Sequence, residues 1–352
     1  MENKKKVLLG MSGGVDSSVS AILLKEAGYD VIGTTLELYG GSCCNISTNL
    51  DAKKVCEKIG IPHFTFNYTE EFKKYVVDDF IDCYSNCKTP NPCIECNKYL
   101  KFGVMYEKAK QLGCEYIATG HYAKTEFDEK YGKIVLKKAK NLAKDQSYVL
   151  YNTPSDILPK VLFPLGNFNS KDEIRQIARE HELVVANKPD SEDICFIPDG
   201  NYKTFLENNS NLKPKQGNIV DKNGNVLGKH KGLYYYTIGQ RKGLGISYKV
   251  PLFVTGFNKN RNEVIVGEME DLFKKEMEVC NVNLLLIDKL EKEMKVSVKT
   301  RYSSKQANAT ISPLENGNIK VEFDEPQKSL TPGQSAVFYI DDIVLGGGKI
   351  KF

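Results

Sequence analysis

The chain has 352 residues, 41% of them hydrophobic and 27% charged, with a formal net charge of +4. That length predicts two or three domains and a core that needs no disulfide staples, and the composition excludes a disordered or fibrous chain. No apolar run approaches the roughly 18 residues of a membrane span. The basic N-terminus is followed by too short an apolar run for a signal peptide, so a cytoplasmic protein without membrane attachment is expected.

The first two hundred residues alternate short apolar strands with helical patterns. Strands are expected at 6–9, 31–36, 63–66 and 116–119, and helices at 17–27, 50–59 and about 99–112. Gly28, Gly60 and Gly113 stop the three helices. This rhythm predicts an α/β fold with a parallel sheet covered by helices on both faces. Ligands in such sheets sit at the carboxyl ends of the strands. The segment 10–17, Leu36 and the pair Gly120–His121 fall at such ends.

After about residue 200 the pattern changes. Seven glycines between Gly217 and Gly245 cut the chain into short pieces. Beyond residue 278 only short alternating strands are legible, at 279–286, 295–300, 307–311, 319–323 and 336–340, a spacing that fits a small β-barrel. The expected division is a catalytic domain over 1–200, a small central domain over 201–275 and a barrel over 276–352. No acidic residue lies between Asp221 and Glu263, whereas Arg241, Lys242, Lys249 and five other cations do, interleaved with Tyr234, Tyr235, Tyr236 and Tyr248. That mixture suits a polyanion with stackable bases, although a solvated surface over core tyrosines gives the same pattern.

The first strand runs into Gly10-Met-Ser-Gly-Gly-Val-Asp-Ser17. Glycines let backbone N–H groups close on an anion, and the helix that follows adds the positive end of its dipole. Ser12 and Ser17 can donate to phosphate oxygens. Asp16 would repel phosphate unless a cation such as Mg²⁺ intervenes. The Lys-Ser/Thr ending of a Walker loop is absent. The pattern Ser-Gly-Gly-x-Asp-Ser resembles the signature of the PP-loop ATP pyrophosphatases, which implies cleavage of ATP between its α- and β-phosphates and adenylation of a substrate oxygen.

Ten cysteines in a cytosolic chain are expected to be reduced, and grouped ones to do chemistry. Thr89-Pro-Asn-Pro-Cys-Ile-Glu-Cys-Asn97 carries Cys93 and Cys96, and its prolines predict a rigid exposed loop outside any helix. Cys195 stands apart in Asp190-Ser-Glu-Asp-Ile-Cys-Phe-Ile197. Two distant thiols can exchange sulfur, one as a persulfide and the other resolving it as a disulfide. A structural zinc on Cys83, Cys87, Cys93 and Cys96 is the alternative, against which Cys83 and Cys87 read as neighbours on a helix face. Cys56, Cys114 and Cys280 read as small core residues.

Taken in order, GMSGGVDSS, TPNPCIECN, ATGHYAK, KDQSYVLY, DSEDICFI, TIGQRKGLG, TRYSSKQ and TPGQSAVFY make the whole chain similar to the bacterial tRNA-specific 2-thiouridylases. The resemblance implies a PP-loop domain, a central domain and a C-terminal β-barrel. It implies an ATP- and Mg²⁺-dependent tRNA-uridine sulfurtransferase that releases AMP and pyrophosphate. It places ATP on Gly10, Met11, Ser12, Gly13, Gly14, Val15, Asp16, Ser17, Leu36 and Gly120. Cys96 corresponds to the nucleophile and Cys195 to the persulfide carrier. Asn91, Pro92 and Cys93 lie near the target base, and His121, Lys144, Asp145, Gln146, Arg301, Tyr302 and Gln334 correspond to tRNA contacts. The implied partners are tRNA for Lys, Glu and Gln and a sulfur donor, either a cysteine desulfurase or a relay protein.

Cys93 departs from the more familiar Asp of this loop. The change makes three thiols that could converge, so a 4Fe-4S cluster on Cys93, Cys96 and Cys195 stands beside persulfide transfer as a sulfur route. A PP-loop ligase or amidotransferase and a zinc-bearing RNA-binding module are the remaining alternatives. From the residues alone, His121 could equally be a satisfied loop histidine, Lys144–Gln146 an ordinary helix start, and Arg241 and Lys242 a solvated turn or phosphate contacts.

Overall fold

A computed structural model describes residues 4–39, 46–189 and 194–352. The first strand shows how the apolar runs become a buried sheet. In β1 (Lys6–Gly10) Val7, Leu8 and Leu9 are all fully buried, as a strand covered on both faces requires. Val7 and Leu9 join a cluster with helix α1 (Val15–Glu26) and helix α2 (Ile46–Ile59), while Leu8 joins the cluster on the other face. Each such side chain contributes about 1.5–3 kcal/mol by burial.

Parallel pairing joins β1 to β2 (Asp30–Glu37), β2 to β3 (His63–Asn67), β1 to β4 (Tyr116–Ala118), and β4 to Val161–Leu162. The order is thus β3-β2-β1-β4 and then Val161–Leu162. The chain leaves β1 to one side for β2 and β3 and returns to its other side at β4. The topological switch point therefore lies between the carboxyl ends of β1 and β4, where open α/β sheets bind ligands.

Between β4 and the edge strand the chain makes a hairpin that the sequence reading missed, β5 (Ala123–Asp128) with β6 (Lys133–Lys138). Numbering the edge strand β7 (Val161–Leu162), the central segment adds β8 (Gly217–Val220), β9 (Val226–His230), β10 (Phe253–Asn258) and β11 (Glu263–Gly267), in the order β10-β11-β8-β9. Of these, β8 and β9 lie in the glycine-rich stretch 217–245 and β10 and β11 just beyond it; none of the four was anticipated.

The last part comprises β12 (Phe273–Leu284), β13 (Met294–Lys299), β14 (Ala307–Pro313), β15 (Ile319–Lys328), β16 (Ser335–Ile340) and β17 (Ile343–Lys351). They pair in the order β12-β15-β14-β13-β16-β17, and β17 returns to β12, closing a barrel. Strand β17 was not anticipated; it carries Gly346, Gly347 and Gly348, a residue type depleted in strands. Their reason is close approach. A Cβ would lie 2.3 Å from the Asn283 carbonyl oxygen at Gly346, 2.9 Å from the Tyr151 ring at Gly347, and 2.5 Å from the Cys280 carbonyl oxygen at Gly348. The β5–β6 hairpin docks on the barrel through the Ile343–Lys137 pair, so the first segment extends the sheet of the last.

Candidate active site

The phosphate loop leaves β1 still paired to β2. The Met11 amide donates to the Thr34 carbonyl at 2.7 Å, and Thr35 Oγ1 donates back to the Met11 carbonyl at 3.0 Å. Gly13 takes φ = +69°, which favours glycine, and a Cβ there would lie 2.2 Å from the Thr48 carbonyl oxygen. Inside the turn the Ser12 amide donates to Ser17 Oγ at 3.2 Å, and Ser17 Oγ donates to the Gly14 carbonyl. Val15, Asp16 and Ser17 begin α1, whose N-terminal cap position is Gly14. Gly120 closes the loop from β4, with space for a Cβ only 2.8 Å from the Ser17 nitrogen. The buried Leu36 lies near the end of β2. The expected ATP-binding residues thus lie on the loop and its two flanking strands.

Asp16 carries contacts that sequence reasoning missed. Both of its carboxylate oxygens accept from the Lys171 ammonium at 2.6 Å, and Oδ1 also accepts from the Tyr122 hydroxyl at 2.6 Å. Lys171 opens helix Lys171–Glu180, and its side chain is only 13% exposed. A second lysine, Lys188, donates to the Gly13 carbonyl and to Asp51, both at 2.9 Å. These cations come from about 155 and 175 residues away. The one local clue was a lysine at the start of a helix, where the dipole disfavours a cation.

The cysteine segment differs from expectation. Pro92 does not hold it out of helix but starts one, Pro92–Glu95, with Asn91 at the cap position. Proline suits the first helical position because its missing N–H would have no partner there. The helix passes at Cys96 into a π-helical stretch, Cys96–Val104, a geometry often found at functional sites. Cys93 is exposed, whereas Cys96 is buried at 8% exposure. Cys195 is half-buried, and residues 190–193 of its motif lie outside the described residues. Cys96 and Cys195 share one hydrophobic cluster, with Phe72, Phe80, Leu100 and Phe196 at its centre. Cys83 lies on helix Asp78–Ser85, but Cys87 lies past its end in a left-handed conformation (φ = 55°), so the two do not share a helix face. Among the described residues, no three His, Cys, Asp or Glu side chains are grouped to hold a metal.

The barrel grips this segment. Gln334 Nε2 donates to the carbonyls of Thr89 and Pro90 at 3.0 and 3.1 Å, and the Thr89 amide donates to the Pro332 carbonyl at 2.9 Å. Lys349 pairs with Glu95 at 3.0 Å and with Asp79 at 3.2 Å. These carboxylates hold the Lys349 ammonium charged against the cost of its burial. Arg301 Nη2 donates to the carbonyls of Ile238 and Ser329 and to Thr331 Oγ1, tying the central segment to the barrel. Tyr302 is 44% exposed and stacks edge-on to Tyr148. Burial, then the charges of Asp145 and Cys93, push its phenol pKa up.

His121 follows Gly120 and is held by Thr119 Oγ1 at 2.7 Å, with Lys101 Nζ 3.5 Å from its other nitrogen. Burial and the Lys101 charge lower its pKa well below the ordinary value, so it is neutral. Asp145 is buried and spends its carboxylate on the Ala139 and Ser147 amides and the Ser147 hydroxyl. Gln146 accepts from the Tyr122 amide at 2.9 Å and returns its own amide to the Tyr122 carbonyl. The Lys144–Gln146 turn is thereby linked through Tyr122 to Asp16. No described helix is long and apolar enough to cross a membrane.

A glycine-rich loop at a switch point, with its Asp-Ser pair opening the next helix, defines an α/β enzyme domain of the PP-loop class, here followed by a central domain and a closed β-barrel. Comparison with known sequences agrees. Residues 5–199 match the family described as tRNA methyl transferase HUP domain, residues 203–268 its PRC-barrel domain, and residues 274–350 the aminomethyltransferase beta-barrel domain. A Clostridium perfringens protein named tRNA-specific 2-thiouridylase MnmA is 52% identical over 357 residues, 99% of each chain. One of the same name from Clostridioides difficile is 50% identical over 99% of this chain and 98% of its own. The chain belongs to the tRNA-specific 2-thiouridylase family. Among solved structures, a 4-thiouridine synthetase–RNA complex with bound ATP is 18% identical, covering 58% of this chain and 50% of its own at a TM-score of 0.38. NMN synthetase from Francisella tularensis is 16% identical at a TM-score of 0.34, covering 54% and 67%. Similarities this low bear on neither mechanism nor substrate.

Proposed function

We propose that this protein is an ATP-dependent tRNA-uridine 2-sulfurtransferase, acting in the cytoplasm and delivering sulfur as a persulfide. The observation that supports this most directly is that Cys96 and Cys195, 99 positions apart, belong to one packed cluster. ATP lies with its phosphates on Gly10–Ser17 and its base near Leu36. Asp16 would hold Mg²⁺ together with phosphate oxygens, one carboxylate being enough beside a nucleotide; the ion neutralises the charge of the departing pyrophosphate. The uridine O2 attacks the α-phosphorus, pyrophosphate leaves, and the base becomes an adenylate whose leaving group is AMP.

The terminal sulfur of a Cys195 persulfide adds at C2 and AMP departs. The Cys96 thiolate then attacks Cys195 Sγ. The bond between Sγ and the transferred sulfur breaks, its electron pair staying on the thiouridine, and a Cys96–Cys195 disulfide forms. A cellular dithiol reduces that disulfide, and a cysteine desulfurase or relay protein reloads Cys195. We assign the sulfur to this route; anaerobic iron and sulfide analysis separates it from an iron–sulfur cluster on Cys93, Cys96 and Cys195, because a colourless, fully active protein without iron excludes the cluster.

The wobble base must leave its stack to reach the site. Tyr302, 44% exposed, offers it a stacking face. His121, Lys144 and Gln334 would meet the anticodon loop, and Asn91 and Pro92 would line the base pocket. The family description names a methyl transferase and the curated relatives a thiouridylase; two cysteines from distant segments packed into one cluster, in a chain that also carries a phosphate loop, favour the second chemistry over both methylation and amide ligation.

Mass spectrometry of nucleosides from unmodified tRNA incubated with the protein, ATP, Mg²⁺ and a sulfide source tests the reading. Appearance of 2-thiouridine supports it. Product formed only with an amine donor, or tRNA bound without pyrophosphate release, overturns it. Cys195→Ser is expected to bind tRNA normally and lose thiolation.

A further inference from the structure

We propose that Lys171 is the pyrophosphate-binding cation of the site, supplied from outside the phosphate loop. The inference rests on the ATP-dependent reading above and adds a residue to it.

The loop 10–17 contains no lysine or arginine, and its one charged group, Asp16, is negative. A reaction that releases pyrophosphate needs positive charge at the developing anion. Lys171 stands at that place. Its ammonium touches both Asp16 oxygens at 2.6 Å and lies 5.7 Å from the centre of the Tyr122 ring. Helix stability does not explain it, because a cation in the first turn opposes the dipole. Ser170 caps that helix by accepting the Glu173 amide, and Glu173 supplies the acidic first turn the dipole prefers, so Lys171 is the residue out of keeping. Burying an ammonium also has a desolvation cost that only a good partner offsets. In the absence of nucleotide Asp16 is one such partner, engaged through both of its oxygens. A phosphate on the loop is a second and more highly charged claimant for the same ammonium. Carboxylate and pyrophosphate therefore compete for Lys171, and it transfers from one to the other when the site fills.

Competition gives the two partners opposite effects, which a purely structural ion pair does not. The full chain is titrated with inorganic pyrophosphate in EDTA, so that no metal contributes, and separately with AMP. Lys171→Met is expected to weaken metal-free pyrophosphate binding about tenfold or more, a charge-assisted contact being lost, and to leave AMP within about twofold. Lys171→Arg is expected to retain most of the binding. Asp16→Asn, which releases the ammonium and removes a repelling charge, is expected to tighten pyrophosphate. Circular dichroism verifies folding of each variant.

The proposal is overturned if Lys171→Met binds pyrophosphate as the parent does, if Asp16→Asn and Lys171→Met weaken it together, or if the parent takes up ATP but no metal-free pyrophosphate. A parent protein that binds neither ATP nor pyrophosphate would instead remove the ATP-dependent reading itself, and this assignment with it.

Discussion

The side-chain amide of Gln334 reaches across from the barrel to the carbonyls of Thr89 and Pro90, at 3.0 and 3.1 Å, and so fixes the approach to Cys93 and Cys96. The family resemblance implies a tRNA contact for Gln334; in the free protein its side-chain amide is engaged with the cysteine segment. Each bond contributes about 0.5–1.5 kcal/mol net. Gln334→Ala is therefore expected to cost about 1–3 kcal/mol locally and to cut thiolation severalfold. Hydrogen exchange over residues 88–93 should accelerate, and unchanged exchange there would mean the clamp is not holding the segment.

Gly120 has no room for a methyl group. A Cβ would sit 2.8 Å from the Ser17 nitrogen and 2.9 Å from the Asp16 carbonyl carbon, both backbone atoms. Gly120→Ala must displace the phosphate loop from β4. ATP affinity measured by equilibrium dialysis should fall by about tenfold or more, roughly 1.4 kcal/mol per tenfold, while tRNA binding is retained. Parent-like ATP affinity would show that the loop can move without loss.

The cysteines should react in a defined order. Cys93 is exposed, whereas Cys56 and Cys83 are buried, with thiol pKa values pushed up to about 12 by burial and then by Glu57 and Asp79 respectively. The thiolate is the reactive form. In a time course with iodoacetamide near neutral pH, peptide mass spectrometry should find Cys93 labelled first and Cys56 and Cys83 last. Early labelling of Cys56 would contradict its packing beside Gly33.

Three histidines, the half-buried His63 and His121 and the buried His230, have lowered pKa values, with desolvation the largest cause in each. A depressed histidine binds its proton more readily in the unfolded chain than in the folded one. Folding stability should therefore be intact above the unfolded value of about 6.5 and fall as pH drops below it, by up to about 1.4 kcal/mol per pH unit for each group. Urea denaturation at about pH 7.5 and about pH 5.5 tests this. His121→Gln should flatten the dependence; an equal slope in the variant would exclude His121 as a contributor.

What the sequence made legible was local. The phosphate loop could be found because strand, glycine turn and helix are contiguous, and each has its own chemical signature. Cys93, Cys96 and Cys195 stood out through residue type and motif. Lys171 and Lys188 did not, because nothing near them in the chain mentions the loop they touch. The β5–β6 hairpin was passed over because Thr125–Lys138 is mostly polar on one face, and its partner, β17, lies some two hundred residues on. Pro92 was misread through the same residue property that proved decisive: a fixed φ breaks a helix in its interior but favours one at its first turn. Asp145 entered as a contact through resemblance alone; that its carboxylate also holds the Ala139 and Ser147 amides was not legible before its burial was known.

Strand β17 closes the barrel against β12 and β16, and its Ile350 exchanges backbone bonds with Gly333 and Gln334. Among the described residues it follows every other strand, so a ribosome releases it after them. Earlier segments of a nascent chain fold as they emerge, and the nucleotide pocket can form well before synthesis ends. The turn that grips Thr89 and Pro90 cannot be completed until residue 350 is free of the exit tunnel. A half-made chain would thus have its phosphate loop in place while the segment of Cys93 and Cys96 stayed unset, a built-in delay between shaping the loop and seating the thiols.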